Sequence, residues 1–344
     1  MRILRLFNPE NDLALAAGSA CYTPPPAAAL LRSAGALLPM WLADEGDFLL
    51  APRELEDTCA QMRERFGLHG SILTPENIDD VNECAPWGWS AATRRTFIKA
   101  GIRENALPDS TLIERLRSLS HRRTAARLLE KLGFADMPVE AHDRGSALAA
   151  IDALGGDAYI KLPWSSSGRG VFAVSNMTRS KLVEYIDGFI RRQGSVMVEK
   201  AYRKQHDFAM LFYSMDNKVT YAGLSLFDTL PGGAYSSNIL LPQSEIERTL
   251  GIDAAILSSK VGQALEEIVA PVYTGPLGVD MLLTEDGVIV PGIEINLRYT
   301  MGFIALEVEK RLGSGIMTVA PGASPEGSIN LSPVSGAAFS ITFR

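Results

Sequence analysis

The chain has 344 residues, enough for about two domains at ~150 residues each. Its 47% hydrophobic and 21% charged residues are an ordinary balance for a soluble globular protein. A net charge of −7 argues against a general affinity for nucleic acid or an anionic membrane, so an anionic ligand has to be met by a local basic pocket.

Cys21, Cys59 and Cys84 are odd in number and widely spaced, with neither a disulfide framework nor a C-x-x-C pair. That usage suits a reducing cytoplasm. The start, "MRILRLFNPEND", turns polar too soon for a signal peptide, and no apolar run approaches the ~18 residues of a membrane span. His69, His121, His142 and His206 show no zinc spacing.

In chain order, "RILRLF" reads as a strand broken at Asn8-Pro9. Pro24 to Pro26 lead into a short helix, "AAALLRSAG", stopped by Gly35. "ALLPMWLADEGDFLLAP" reads as two short strands around an acidic turn. "RELEDTCAQMRERFG" and "SAATRRTFIKAG" are helices ended by glycine, the second capped by Ser90. Alternation of strand and helix makes the first ~110 residues a small open α/β domain.

A second organisation begins near Leu119. "SHRRTAARLLEKLG" sets Ala125, Leu128, Leu129 and Leu132 on one helical stripe. A strand ("MPVEAH"), a helix ("GSALAAIDAL"), the stretch "YIKLPWSSSGRGVFAV" and a helix ("RSKLVEYIDGFIRR") follow. Three strands come next ("SVMVEKAY", "DFAMLFYSM", "KVTYAGLSLF"), then a helix over Asp253–Val272 and the strand pair "GPLGVDMLLTEDG" and "GVIVPGIEINLRYT". Residues 228–242 and the Gly/Ser/Pro-rich residues 314–336 read as loops, and "AAFSITF" closes the chain as a strand.

"GRGVFA" (Gly168 to Ala173) fits G-x-G-x-x-A, but a dinucleotide fingerprint must open a helix, and here an apolar strand follows. The unit is strand–loop–strand. Such a loop can cradle phosphate through backbone N–H groups and serine hydroxyls, with Lys161 as a point charge. It can equally be an ordinary hairpin loop beside a lysine.

In "GVDMLLTEDGVIVPGIEINLRYTMG" the period of two puts Glu294 and Asn296 on one strand face, with Asp280 across a tight turn. Two carboxylates and an amide oxygen suit Mg²⁺, and Arg298 continues the same face, able to grip a phosphate or carboxylate. The alternative is an edge hairpin with a solvated polar face; the apolar flanks speak for burial, where acids need partners.

Taken together, Lys161 with "SSSGRGV", then "VMVEKAY", "GVDMLL" and "GIEINLRYTMG", resemble the ATP-grasp superfamily in order and spacing, over about residues 119–311. The resemblance implies an α/β N-terminal domain (1–118) before an α+β ATP-grasp fold whose two lobes (119–200 and 201–344) sandwich MgATP. It implies that Lys161 contacts the phosphates and that the loop Ser165, Ser166, Ser167, Gly168, Arg169 and Gly170 closes over them. Glu199 with the backbone at Lys200 and Ala201 falls where adenine is read, and Asp207 where the ribose hydroxyls are held. The Glu199-to-Asp207 spacing is about one residue longer than the family pattern, and His206 is the rival. Arg122 falls where the family carries a phosphate-binding lysine, with Arg123 its competitor. Asp280, Glu294 and Asn296 match the Mg²⁺ ligands, with Mn²⁺ as a substitute, and Leu297 stands where "EINPR" has proline. Lys161 and Arg298 are the residues expected to neutralise charge on the transferred phosphoryl group.

The activity implied is ATP-dependent ligation of a small-molecule carboxylate to an amine through an acyl phosphate. Phosphoryl transfer to an alcohol and a non-catalytic nucleotide-binding module are the alternatives. No nucleic acid or membrane partner is expected, and a homodimer is the default. The cluster Arg115, Arg117, Arg122, Arg123 and Arg127 reads as a solvated helix face with one arginine turned inward. Tyr235 and Asn238 are candidate substrate contacts in the 228–242 loop, while "NPEND" and "APWGWS" are loop stretches that could line an acceptor pocket; Trp87 and Trp89 read as packing residues.

Overall fold

The computed structural model describes residues 1–165, 170–230 and 233–344. They fall into two compact units: Met1–Arg117 with Ser236–Ile246 and Arg298–Arg344, and Ser118–Tyr235 with Glu247–Leu297. In chain order the elements begin with β1 (Ile3–Leu6), α1 (Asn11–Ala17), α2 (Pro26–Ala34), β2 (Phe48–Leu49), α3 (Glu56–Phe66) and β3 (Ser71–Ile72). Then come β4 (Glu83–Pro86), α4 (Ala91–Lys99), α5 (Ser110–Leu119), α6 (Arg123–Lys131), β5 (Val139–Ala141) and α7 (Arg144–Ala153). Next are β6 (Ala158–Lys161), β7 (Val171–Ala173), α8 (Arg179–Gln193), β8 (Val196–Lys200), β9 (Lys204–Met215) and β10 (Lys218–Thr229). The last are β11 (Tyr235–Leu240), α9 (Gln243–Leu250), α10 (Ala254–Ile268), β12 (Gly275–Thr284), β13 (Ile289–Asn296), α11 (Met301–Leu312), β14 (Gly315–Pro321), β15 (Ile329–Asn330) and β16 (Phe339–Phe343).

The first unit contains a four-stranded parallel sheet in the order β3-β2-β1-β4. Leu4, Leu49 and Phe97 are among its fully buried side chains. Proline at the first helical position opens α2, and the Ser90 hydroxyl accepts from Thr93 N–H to cap α4, as the sequence leads one to expect. The expected strand before Phe48 is instead a 3₁₀ turn over Leu38–Leu42. Pro39 can donate no ladder bond, and Leu38, Pro39, Met40 and Trp41 are all buried, so no two-residue alternation exists to form a strand face.

The same unit contains the antiparallel strands β11, β14, β16 and β15, with Asn238 opposite Met317 and Met317 opposite Phe343. Two expected loops are therefore corrected: 228–242 contains β11, and 314–336 contains β14 and β15. Ser and Asn in "YSSNIL" carry little intrinsic strand preference, so ladder pairing decides.

In the second unit one antiparallel sheet runs β5-β8-β6-β7. Helices α7 and α8 cover it through Ala147, Ile151, Leu182, Ile186 and Phe189. The other sheet runs β13-β12-β9-β10, all antiparallel, with α10 packed on β10 and α6 on β13. Asp216 and Asn217 turn β9 into β10 with φ of 50° and 59°, the left-handed pair of a two-residue hairpin. The strand after the glycine loop is β7, not a helix, which removes the dinucleotide-fingerprint reading.

Candidate functional site

Hydrogen bonding of Leu162 N–H to Gly170 O at 2.8 Å closes the base of the loop between β6 and β7. Gly170 has φ +85°, and a Cβ there would lie 2.6 Å from the Leu162 side chain, so glycine is required on two grounds. Ser165 is buried; Ser166, Ser167, Gly168 and Arg169 lie outside the described residues.

Tyr159 of β6 pairs with Glu199 of β8, and Lys161, two residues on, projects from the same sheet face. Its ammonium bonds the Glu199 carboxylate, and both side chains are at least nine-tenths buried. Lys200 instead reaches Asp136 at 2.7 Å, and Ala201 N–H donates to Asp157 O at 2.9 Å. Of the three expected at the adenine position, Glu199 alone has its side chain beside Lys161.

Arg122 is the inward-turned arginine. Its backbone N–H donates to Pro163 O (3.1 Å) and its Nε to Leu162 O (3.1 Å). Nη2 reaches both Ser165 Oγ (2.9 Å) and Glu294 Oε2 (3.0 Å). One guanidinium thus joins the start of the loop to the acidic strand. Arg123, the competitor, instead donates to Glu140 at 2.7 Å.

On β12 and β13, Asp280 stands directly opposite Glu294, and Gly278 opposite Asn296. Asn296 Nδ2 donates to Asp280 Oδ2 at 3.0 Å. A β-bulge lies between Asp280 and Leu282 in this pairing, beside Pro291 and Gly292 of the partner strand. Proline, which cannot fill a ladder position, is at home there, and the bulge sets the aim of the acids that follow. Among the described residues no three His, Cys, Asp or Glu side chains cluster as a closed metal cage. Asp280 bonded to the Asn296 amide, with Glu294 opposite it in the ladder, offers an open, all-oxygen donor set, which fits Mg²⁺ because that ion keeps waters and phosphates in its shell.

Asp207 pairs with Leu282 across the β9–β12 ladder, and Asp280 with Ala209. Alternation therefore puts Asp207 on the same face as Asp280 and its rival His206 on the other. The ladder slips between Leu283–His206 and Thr284–Lys204, leaving Gln205 as one extra residue. That bulge moves Lys204 onto the Asp207 face. Lys204 Nζ bonds Asp207, and Thr229 Oγ1 donates to it at 2.9 Å. Thr229 was not singled out from the sequence; Lys204, three residues from Asp207 in a polar strand start, carried a readable signal.

Arg298 does not continue the β13 face. The strand ends at Asn296, and Arg298 forms an isolated bridge with Gly88 in the first unit. Its Nε and Nη2 both grip Asp12 Oδ2, at 2.9 and 2.8 Å. "NPEND" is likewise a buried polar hub. Asn8 Nδ2 donates to Gly88 O (2.8 Å) and Thr93 Oγ1 (3.0 Å), and the Asn11 amide donates to Gly88 O (2.9 Å) and Trp89 O (3.1 Å). Glu10 pairs with Arg32. Trp87 packs edge-on against Phe7 at 4.8 Å, as a packing residue does. Asn238 is buried on β11. Burial pushes the Tyr235 phenol well above its usual range.

No protein-family model matches the sequence, and no curated protein matches it. Solved structures do, and they give the chain the fold of the ATP-grasp superfamily: an α/β N-terminal domain followed by the α+β ATP-grasp fold. One is N5-carboxyaminoimidazole synthetase from Staphylococcus aureus, at 11% identity and TM-score 0.56, covering 100% of this chain and 93% of that one. A second is the biotin carboxylase domain of the Hydrogenobacter thermophilus 2-oxoglutarate carboxylase, solved with MgADP, ADP and bicarbonate. It is 12% identical with a TM-score of 0.57, over 99% of this chain and 85% of that one. Biotin carboxylase from Campylobacter jejuni matches at 10% identity and TM-score 0.56, over 100% and 87%. Among the described residues no helix is long and apolar enough to cross a membrane.

Proposed function

We propose that this chain is an ATP- and Mg²⁺-dependent ligase that joins a carboxylate to an amine through an acyl phosphate. The observation that carries the reading is the position of Arg122, which bonds the start of the Lys161 loop and the Glu294 strand at once. Phosphate-binding groups and oxygen donors are thereby brought together within one unit, in a fold shared with a carboxylase domain solved with MgADP.

In this reading Lys161 and Arg122 hold the phosphates, Arg122 through a planar fork and Lys161 as a point charge. Asp207, on the Asp280 face, takes the ribose hydroxyls. Glu199, with the neighbouring backbone, faces the base. Asp280, Glu294 and Asn296 would hold Mg²⁺, which supplies positive charge against the phosphate oxygens. The catalytic work of the chain is positional and electrostatic: fixed cations face the charge that develops as the carboxylate oxygen attacks the γ-phosphorus in line.

The test is ADP release from MgATP across amino acids, peptides and small carboxylates, with and without an amine, in the presence of hydroxylamine. Hydroxamate formation establishes the acyl phosphate. A phosphate monoester without hydroxamate replaces the reading with phosphoryl transfer to an alcohol, and ATP binding without turnover replaces it with a nucleotide-binding module.

A further inference from the structure

Arg122 has an unusual set of partners for a phosphate-binding residue. Its side chain is 4% exposed; among the described residues it donates hydrogen bonds to Pro163 O (from the backbone), Leu162 O and Ser165 Oγ, and forms an ion pair with Glu294 Oε2. A guanidinium does not lose its proton in a protein, so a buried one carries its charge permanently and must be met by an acid. Here the acid is Glu294, 27% exposed, which lies directly opposite Asp280 in the donor set already described. Arg122 thus brings to Glu294 the kind of positive charge that a divalent cation would bring.

We propose that Arg122 is a positioning residue that neutralises and orients Glu294 while the site lacks nucleotide, and that it releases Glu294 to the cation when phosphate draws the guanidinium away. The inference rests on the reading of Asp280, Glu294 and Asn296 as cation ligands. It goes beyond that reading by making Arg122 the coupling element between nucleotide and metal. A phosphate oxygen offers Nη2 a charged acceptor as Glu294 Oε2 does, so the exchange costs Arg122 little, whereas a lysine at this position would lack the fork that spans Ser165, Leu162 and Glu294 together. Because Arg122 also holds Leu162, Pro163 and Ser165, a shift of its side chain toward phosphate is felt at the start of the loop. Nucleotide binding and cation binding are thereby linked through one side chain. Thermodynamic reciprocity then requires that nucleotide and cation raise each other's affinity by a common factor, part of which comes from Arg122.

The probe is Mn²⁺, followed by electron paramagnetic resonance with no nucleotide present. In Arg122→Gln and in Arg122→Met, which fills the buried space without a polar group, Glu294 has lost its competing cation. Nucleotide-free Mn²⁺ affinity is expected to rise about tenfold or more, the size expected from removing one adjacent unit charge near a protein surface. The gain should vanish when Glu294→Gln is added, and should be absent in Arg122→Lys, where the charge remains. A merely structural arginine would give no gain of binding on removal. If the folded neutral variants, checked by circular dichroism, bind Mn²⁺ no better than the unaltered chain, or if Arg122→Lys shows the same gain, the inference is overturned. The unaltered chain with Mn²⁺ and ADP separates the two levels: Mn²⁺ binding there with no gain in the variants removes only the coupling role, while no Mn²⁺ binding even with ADP removes the ligand assignment as well.

Discussion

Lys161 and Glu199 form a buried ion pair across β6 and β8, two strands whose register sets the two side chains on one face. A pair taken out of water is costly to break, because the surviving partner keeps its charge without compensation. Lys161→Met and Glu199→Leu, each alone, are expected to lose about 3–5 kcal/mol of stability, while the double variant returns close to the starting value. ADP binding should fall in Lys161→Met and stay lost in the double variant. Chemical denaturation alongside ADP calorimetry separates the two effects. A double variant that binds ADP normally would remove Lys161 from the site.

Asn296 and Glu294 are expected to separate in stability while agreeing in activity. Asn296→Ala removes one hydrogen bond to Asp280, worth about 1 kcal/mol. Glu294→Ala strands the buried Arg122 guanidinium, and the partial exposure of the acid limits the loss to about 2–3 kcal/mol. Both should abolish ATP turnover. Thermal melts and ADP release on the same preparations check the pair, and Glu294→Gln should recover part of the stability without the activity.

The site was legible wherever chemistry and strand period coincide. Glu294, Asn296 and Asp280 could be placed on one face because period two and the turn after Thr284 leave one solution. Lys161 and Glu199 are 38 residues apart, and their contact depends on the β6–β8 register, which no local pattern encodes. The Gln205 bulge is of the same kind: a slip in the β9–β12 ladder that no local pattern encodes. In the first unit, α1 begins at Asn11 with no side-chain cap, and β2 and β3 have two residues each, too short for periodicity to register. Helix α11 was not read from the sequence, although Phe303, Ile304 and Val308 recur at helical spacing. The polar hub at "NPEND" was not readable, because Asn, Pro and Asp next to a strand look the same in a solvated turn as in a buried one.

His121 gives a prediction in pH. Its ring is buried, packs edge-on against Trp164 at 4.6 Å, and accepts from Arg123 N–H at Nδ1. Burial first, then Arg123, Arg122 and His142, hold its pKa down to about 4 against the opposing pull of Glu140. The unfolded chain takes up that proton near 6.5. Between those values the unfolded state binds more protons, so stability rises with pH and is lost as pH falls from about 6.5 toward 4. His121→Gln should flatten the stability profile in that window, with the two proteins converging in slope above pH 7. Urea midpoints from pH 4 to 8 measure it, and an unchanged slope in the variant would assign the pH dependence elsewhere.

Gly88 offers a steric test of the first unit's hub. Its carbonyl accepts from Asn8 and Asn11, and its N–H donates to Asn8 Oδ1 at 3.3 Å. A Cβ at this position would lie 2.4 Å from the end of the Asn11 amide, where its oxygen sits once the nitrogen donates to Gly88 O, and 3.0 Å from the Asn11 Cβ, closer than side chain and side chain can come without movement. Gly88→Ala is therefore expected to destabilise by about 1–3 kcal/mol, the usual range for overpacking. Asn11→Ala alone loses the two amide hydrogen bonds to Gly88 O and Trp89 O, about 1 kcal/mol each. Because the two closest contacts, to the Asn11 amide and its Cγ, vanish in Asn11→Ala while the 3.0 Å contact to Cβ stays, the double variant should cost less than the sum of the singles, by an interaction term of about 1 kcal/mol. Strict additivity in denaturation would show that the two residues do not meet, and would separate "NPEND" from the loop after β4.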